Sequence, residues 1–147
     1  MKRHSLARSY FAQLLILSPY IGGCGTPYKS QEQVMLTAPT PITELTLENG
    51  VGAVLLRGDA SAKEVKAEII KVGRGATIAE SEKALKQIKV ELGLKAPGGA
   101  LIAKSEGPRP NAFRQFEVNW HITAPSNATI SIRNCVGDIR VEGFTGD

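Results

Sequence analysis

The chain states one fourteen-residue pattern twice, and that constrains its fold more than any other feature. Leu45-Thr-Leu-Glu-Asn-Gly-Val-Gly-Ala-Val-Leu-Leu-Arg-Gly58 returns without a gap as Ile130-Ser-Ile-Arg-Asn-Cys-Val-Gly-Asp-Ile-Arg-Val-Glu-Gly143, every position 85 residues on. Asn49, Val51, Gly52 and Gly58 recur as Asn134, Val136, Gly137 and Gly143. Four alternating positions stay aliphatic in both copies: Leu45, Leu47, Val54 and Leu56 become Ile130, Ile132, Ile139 and Val141. The alternation on either side of Asn-x-x-Gly reads as two short strands, each with one apolar face. A unit of this kind cannot bury its apolar face alone, so its recurrence points to stacked units sharing a core.

The link inside each copy predicts a corner rather than a hairpin. Asn-Gly favours a type I′ turn, which needs positive φ at two successive residues. The second copy has Asn134-Cys135 instead, and cysteine tolerates positive φ poorly. The glycine common to both copies is Gly52/Gly137, and it suits a chain that turns from one strand into another. Two copies 85 residues apart are too distant to be neighbouring coils of a regular array with a repeat of about 20–30 residues. The expectation is therefore that they bracket an α/β insertion, with the second copy opening a separate stack.

Between the copies, Glu64 to Val72 is a strand with Val65, Ala67 and Ile69 on one face. Thr77-Ile-Ala-Glu80 has the spacing of a capping box and starts one helix at about 77–87, with Ile78, Leu85 and Ile88 on its apolar face. Alternation resumes over 89–95, turns at Pro97-Gly-Gly99 and continues near 101–104. After the loop Gly107-Pro-Arg-Pro-Asn111, the residues Phe116, Val118, Trp120 and Ile122 give the cleanest strand, with Phe116 and Trp120 as core. Aromatics are only 5% of the chain, so the core is aliphatic. The fold class expected is mainly β with one helix: a partial β-solenoid, or a stack of short strands.

The headline charge of +4 is misleading. Lys2, Arg3 and Arg8 lie in the first 24 residues, which hold no carboxylate, leaving 15 basic against 14 acidic residues in the rest. No basic stripe remains for nucleic acid. The three cations precede a short apolar run, Phe11-Ala-Gln-Leu-Leu-Ile-Leu17, as in an export signal. The run is too short for a membrane span and is followed by Pro19. Ile21-Gly22-Gly23-Cys24 then resembles a bacterial lipobox, with the peptidase junction between Gly23 and Cys24. That resemblance implies diacylglyceryl transfer to the Cys24 thiolate, with buried acyl carbons contributing about 0.8 kcal/mol each to anchoring. An ordinary cleaved signal and an uncleaved anchor are the alternatives. Cys135 is the only other cysteine; it is free if Cys24 is acylated and bridged to it if not.

The organisation expected is a signal peptide over 1–23, a lipidated cysteine with flexible tether over 24–41, and a β-rich domain over 42–147. The polar segment punctuated by Pro27, Pro39 and Pro41 reads as tether, with a short strand around Val34–Leu36 as the alternative.

Strand, Asn-x-Val-Gly-x-Ile-x-Val-x-Gly, helix, two strands, x-Pro and then the same unit resembles the adhesin-type domain of unknown function found in bacterial envelope proteins and lipoproteins. The residues that carry the resemblance are Asn49, Gly52, Val54, Leu56 and Gly58, with Asn134, Gly137, Ile139, Val141 and Gly143. It covers roughly residues 42–147 and implies successive β-solenoid coils. In the family, copies continue beyond this point, so the domain is expected to be C-terminally incomplete, with Ile139 and Val141 near an open edge prone to self-association.

Residues of the kind that carry catalysis are sparse. After the signal there is one histidine, His121, alternating with Trp120 and Ile122 and so expected to face solvent. Asp59 and Asp138 are not equivalent positions in the two copies, and nothing shows metal-ligand or phosphate-loop spacing. No cofactor, metal or catalytic residue is expected. The function expected is a non-enzymatic envelope lipoprotein, membrane-anchored through Cys24, offering a surface to envelope proteins or polymers. A soluble periplasmic or secreted sensor or assembly module is the alternative. A hydrolase on envelope polymers would need a converging carboxylate pair.

Overall fold

A computed structural model describes residues 11–12, 28–96, 99–108 and 116–146. Its elements in chain order are β1 (Phe11–Ala12), β2 (Tyr28–Pro39), β3 (Glu44–Val51), β4 (Val54–Asp59), β5 (Glu64–Gly75), α1 (Ile78–Gln87), β6 (Lys89–Ala96), β7 (Ala100–Glu106), β8 (Phe116–Pro125), β9 (Thr129–Val136) and β10 (Ile139–Glu142). Among the described residues the chain is thus mainly β with one helix. The strands form two mixed sheets, β1-β2-β5-β8-β4-β10 and β6-β7-β3-β9, and neither closes on itself.

One aliphatic core fills the space between the sheets. Leu45 and Leu47 of β3 and Leu101 of β7 meet Val54 and Leu56 of β4, Ile69 of β5 and Trp120 and Ile122 of β8. Strand alternation sets which residues enter it. Along β8, Phe116, Val118, Trp120, Ile122 and Ala124 are buried, while Glu117, Asn119, His121 and Thr123 are half-buried on the opposite face.

The helix is held at its start by the expected capping interaction. Thr77 Oγ1 accepts from the Glu80 amide at 3.2 Å, and the Glu80 carboxylate accepts from the Ala76 amide at 2.8 Å. Its buried face differs from the one read from sequence. Ser81, Ala84 and Leu85 face inward and Ile88 is buried just past the end, whereas Ile78 is 48% exposed. Ser81 takes the inward place because it has a partner there, its hydroxyl lying 2.7 Å from that of Ser30.

Two expectations are corrected. The tether reading fails over residues 28–39, which form the twelve-residue strand β2, paired antiparallel with β5 from Tyr28↔Gly75 to Pro39↔Glu64. Ser30, Leu36 and Ala38 are buried at period 2, and Pro39 sits at the strand end, where a missing donor is tolerated. The two repeat copies are also spatial neighbours, not separated ends of an insertion. β3 pairs with β9 as Leu45↔Ile130, Leu47↔Ile132 and Asn49↔Asn134, and β4 pairs with β10 as Val54↔Ile139 and Leu56↔Val141, both parallel. Distance in sequence does not limit parallel pairing, because the intervening chain leaves the stack and returns to it.

Candidate functional site

The segment between the copies supplies the layer beneath them. β7 pairs with β3 in parallel, Leu101↔Leu45, and β8 pairs with β4 in parallel, Trp120↔Val54 and Ile122↔Leu56. Three two-strand rungs therefore lie one on another, β7 with β8, β3 with β4 and β9 with β10, the second and third each turning at a glycine corner. Backbone donors of each rung reach carbonyls of the next. Trp120 N–H donates to the Ala53 carbonyl at 2.9 Å, and Val54 N–H to that of Asp138 at 2.8 Å.

The corners stack through a polar side-chain ladder. The Ser105 hydroxyl of the first rung donates to Asn49 Oδ1. Asn49 Nδ2 donates to Asn134 Oδ1 and to the Val118 carbonyl, both at 3.1 Å. Asn134 Nδ2 donates to the Gly52 carbonyl at 3.0 Å and to that of Gly137 at 3.3 Å. Each asparagine thus spends a donor on the corner carbonyl of the rung below. An amide, carrying both donors and an acceptor, is the side chain suited to this place.

Gly52 and Gly137 make the corner, with φ of 134° and 124°, while β3 and β4 continue in different sheets. A Cβ on Gly52 would lie 2.1 Å from the Val118 carbonyl oxygen, and one on Gly137 2.1 Å from that of Gly52. The glycines therefore serve both the turn and the close stacking of rungs. Gly58 and Gly143 mark the far end of each rung, where a Cβ on Gly58 would lie 2.4 Å from the Gly143 carbonyl oxygen.

The two ends of the stack differ. Beneath the first rung, β5 pairs antiparallel with β8 and β6 antiparallel with β7. Above the third rung, β9 and β10 are the last strands of their sheets among the described residues, and Val136, Ile139 and Val141 are 54%, 48% and 46% exposed. The apolar interior is open at that end. Arg140 and Arg57 both reach Glu142, the latter at 3.7 Å, so charge fringes the outer side of the rung. Cys135 is free and exposed there. Its equivalent Gly50 lies over the Phe116 ring, 3.6 Å from where a Cβ would sit.

On the outer face of the larger sheet, Glu117 accepts from Asn119 at 2.8 Å and is paired with Arg74. Burial works to raise this carboxyl's pKa, but the hydrogen bonds from Asn119 and Arg74, with the charges of Arg74 and Lys29, outweigh it and hold the pKa below the usual value. His121 Nδ1 is 4.0 Å from Glu68, and its side chain is 43% exposed. Among the described residues, no group of three or more His, Cys, Asp and Glu side chains is placed to hold a metal ion.

Of the residues singled out from sequence, Asn49, Gly52, Gly58, Asn134, Gly137 and Gly143 are brought together in the stacked corners. Gly23 and Cys24 lie outside the described residues. Ser105 and Asn119 were not legible as corner residues. Asn119 Oδ1 accepts from the Ala53 amide at 2.7 Å, yet neither residue belongs to an Asn-x-x-Gly unit. No family model, curated protein or solved structure matches the chain.

Proposed function

We propose that this chain is a non-enzymatic bacterial envelope lipoprotein, anchored through Cys24, whose stacked strand corners form a short solenoid-like scaffold with a receptive edge for protein or polymer contacts. The observation that carries this reading is the third rung. It repeats the backbone and asparagine geometry of the second, yet leaves Val136, Ile139 and Val141 half exposed and its far side unpaired among the described residues. Exposed apolar residues grouped beside unpaired strand edges are the usual mark of a contact surface. The asparagine amides and the Ser105 hydroxyl are spent on stacking, which gives them a structural role. Since β2 begins at Tyr28, three residues separate it from Cys24 and span at most about 10 Å. The anchor would hold the scaffold close to the bilayer.

Two measurements test this. A further copy of residues 130–143 appended after Asp147 is expected to pair as a fourth rung and raise the melting temperature by several degrees. An unchanged melting temperature with a protease-sensitive appendage would count against the receptive edge. For the anchor, the chain is expected to incorporate labelled palmitate and to lose both label and membrane association on Cys24→Ala. Label retained by that variant would refute the lipoprotein reading.

A further inference from the structure

Rows of side chains run across the smaller sheet and end at the open rung. On the inward face, register aligns Leu94, Leu101, Leu45 and Ile130 in one row, and Leu92, Ala103, Leu47 and Ile132 in the next. Both rows are apolar from β6 to β9 and stop there, since β9 is the last strand of its sheet among the described residues. The neighbouring row on the outward face is charged. Glu91, Lys104, Glu48 and Arg133 alternate in sign, strand by strand.

Opposite charges on adjacent strands attract and like charges repel, so the inner members of this row have a counter-charge on each side. Lys104 shows the effect. Glu106, along its own strand, is the main cause of a pKa above the usual lysine value, and the cross-strand charges of Glu48 and Glu91 add to it. Arg133 is the sole charged residue of β9 and is exposed. It has Glu48 in register on one side and no strand on the other among the described residues.

The asparagine ladder ends in the same unfinished way. Asn49 Nδ2 gives one proton to the Val118 carbonyl of the rung below and the other to Asn134 Oδ1 of the rung above, both at 3.1 Å. Asn134 Nδ2 gives one proton downward to the Gly52 carbonyl at 3.0 Å. Its other proton turns back to the Gly137 carbonyl of its own corner at 3.3 Å, beyond the usual range for such a bond. A strand laid on β9 would thus meet Ile130 and Ile132 with aliphatic side chains, Arg133 with an acid and Asn134 with an acceptor. From these rows we propose that β9 receives a parallel strand from a partner protein, with the pattern aliphatic-x-aliphatic-acid-amide. The proposal rests on the reading of the third rung as a receptive edge, and it names a polypeptide because ladder N–H and C=O groups at the strand repeat are what an open edge binds. Within the chain, Leu45-Thr-Leu-Glu-Asn49 has this pattern, whereas Ile130-Ser-Ile-Arg-Asn134 lacks the acid. A second folded copy is a poor donor. Its β3 is held between β7 and β9, its β9 carries no acid, and its β6 offers Glu91 and Leu92 only in antiparallel order, with Val90 over Asn134.

The probe is a fluorescein-labelled peptide with the sequence of residues 44–58, titrated into the full chain and followed by anisotropy and amide resonances. Saturable binding is expected, with shifts along β9. The same peptide carrying Glu48→Lys is expected to bind about five- to tenfold more weakly. Arg133→Glu in the chain is expected to reverse this preference, a gain for the lysine peptide that a damaged fold could not produce. Binding that ignores both charge changes, or shifts that miss β9, would overturn the acidic strand partner while leaving the receptive edge standing. A free peptide that does not bind, although the appended rung still raises the melting temperature, would overturn the partner strand alone. Failure of both peptide and appended rung would overturn the receptive edge as well. A chain that sediments as a dimer undisturbed by the peptide would assign the edge to a second copy and overturn the proposal.

Discussion

In the second rung, Leu45, Leu47 and Leu56 are 0% exposed and Val54 is 2% exposed; in the third, the equivalent Ile139 and Val141 are 48% and 46% exposed, with Ile130 and Ile132 half-buried. The two rungs carry the same unit, the same corner glycine and the same asparagine. Their neighbours differ as well: among the described residues the second has a rung on either side and the third on one side only. Local sequence therefore dictates the shape of the corner, while position in the stack dictates how much each residue stabilises it. Substituting one position in both copies measures the second factor with the first held constant.

The largest difference is expected at the corner glycine. Gly52→Ala combines a φ of 134° with a Cβ driven against the Val118 backbone, inside a stack that cannot yield. A loss of at least about 3 kcal/mol in urea unfolding follows. Gly137→Ala meets the Gly52 carbonyl in the same way, but the terminal rung can lift, so about 1–2 kcal/mol is expected. Equal losses would show that the third rung is as fixed as the second. Next, Leu56→Ala removes a fully buried side chain and is expected to cost about 3 kcal/mol, against under about 1 kcal/mol for Val141→Ala. A large cost at Val141 in solution would mean that something covers the open end.

The same contrast separates what was legible in the sequence from what was not. Strands, corner and helix were legible because each is set within a few residues, by period-2 alternation, by a glycine shared between copies and by Thr77 with Glu80. The first rung was hidden because the motif does not join β7 to β8. It has Ser105 where the copies have asparagine, and a longer connection after Glu106. Without it the copies read as two isolated units. β2 was hidden by its polar outward residues and flanking prolines, although Val34, Leu36 and Ala38 keep strand periodicity. Burial of Lys71 depends on sheet-to-sheet packing, to which local pattern is blind.

The asparagine ladder gives a smaller, directional contrast. Asn49 is 5% exposed and makes three hydrogen bonds, to Ser105, Asn134 and the Val118 carbonyl. Asn49→Ala leaves that carbonyl and Ser105 without their partner and is expected to cost about 2–3 kcal/mol. Asn134→Ala, half exposed, is expected to cost about 1 kcal/mol, since water replaces part of what is lost. The double variant should fall short of the sum of the two, because the Asn49–Asn134 bond is broken by either change. Strict additivity would mean that this bond contributes nothing to stacking.

The smallest effect compares two glutamates at the two ends of the stack and depends on pH. Glu117, on the first rung, is bonded to Asn119 and Arg74, and its carboxyl titrates below the usual range. A carboxyl whose pKa is lower folded than unfolded adds stability in full above its unfolded value of about 4.3. That stability is lost as pH falls through the lower folded value. Glu117→Gln is therefore expected to cost about 1 kcal/mol at neutral pH, after allowance for solvent screening. The gap to the wild type should close below about pH 4. Glu142, on the third rung, pairs with Arg140 and Arg57 at side chains 76% and 57% exposed. Surface pairs of this kind contribute about 0–1 kcal/mol, so Glu142→Gln should sit near the bottom of that range. Parallel acid-unfolding curves for the two variants would place both glutamates in equivalent surroundings and remove the asymmetry between the ends of the stack.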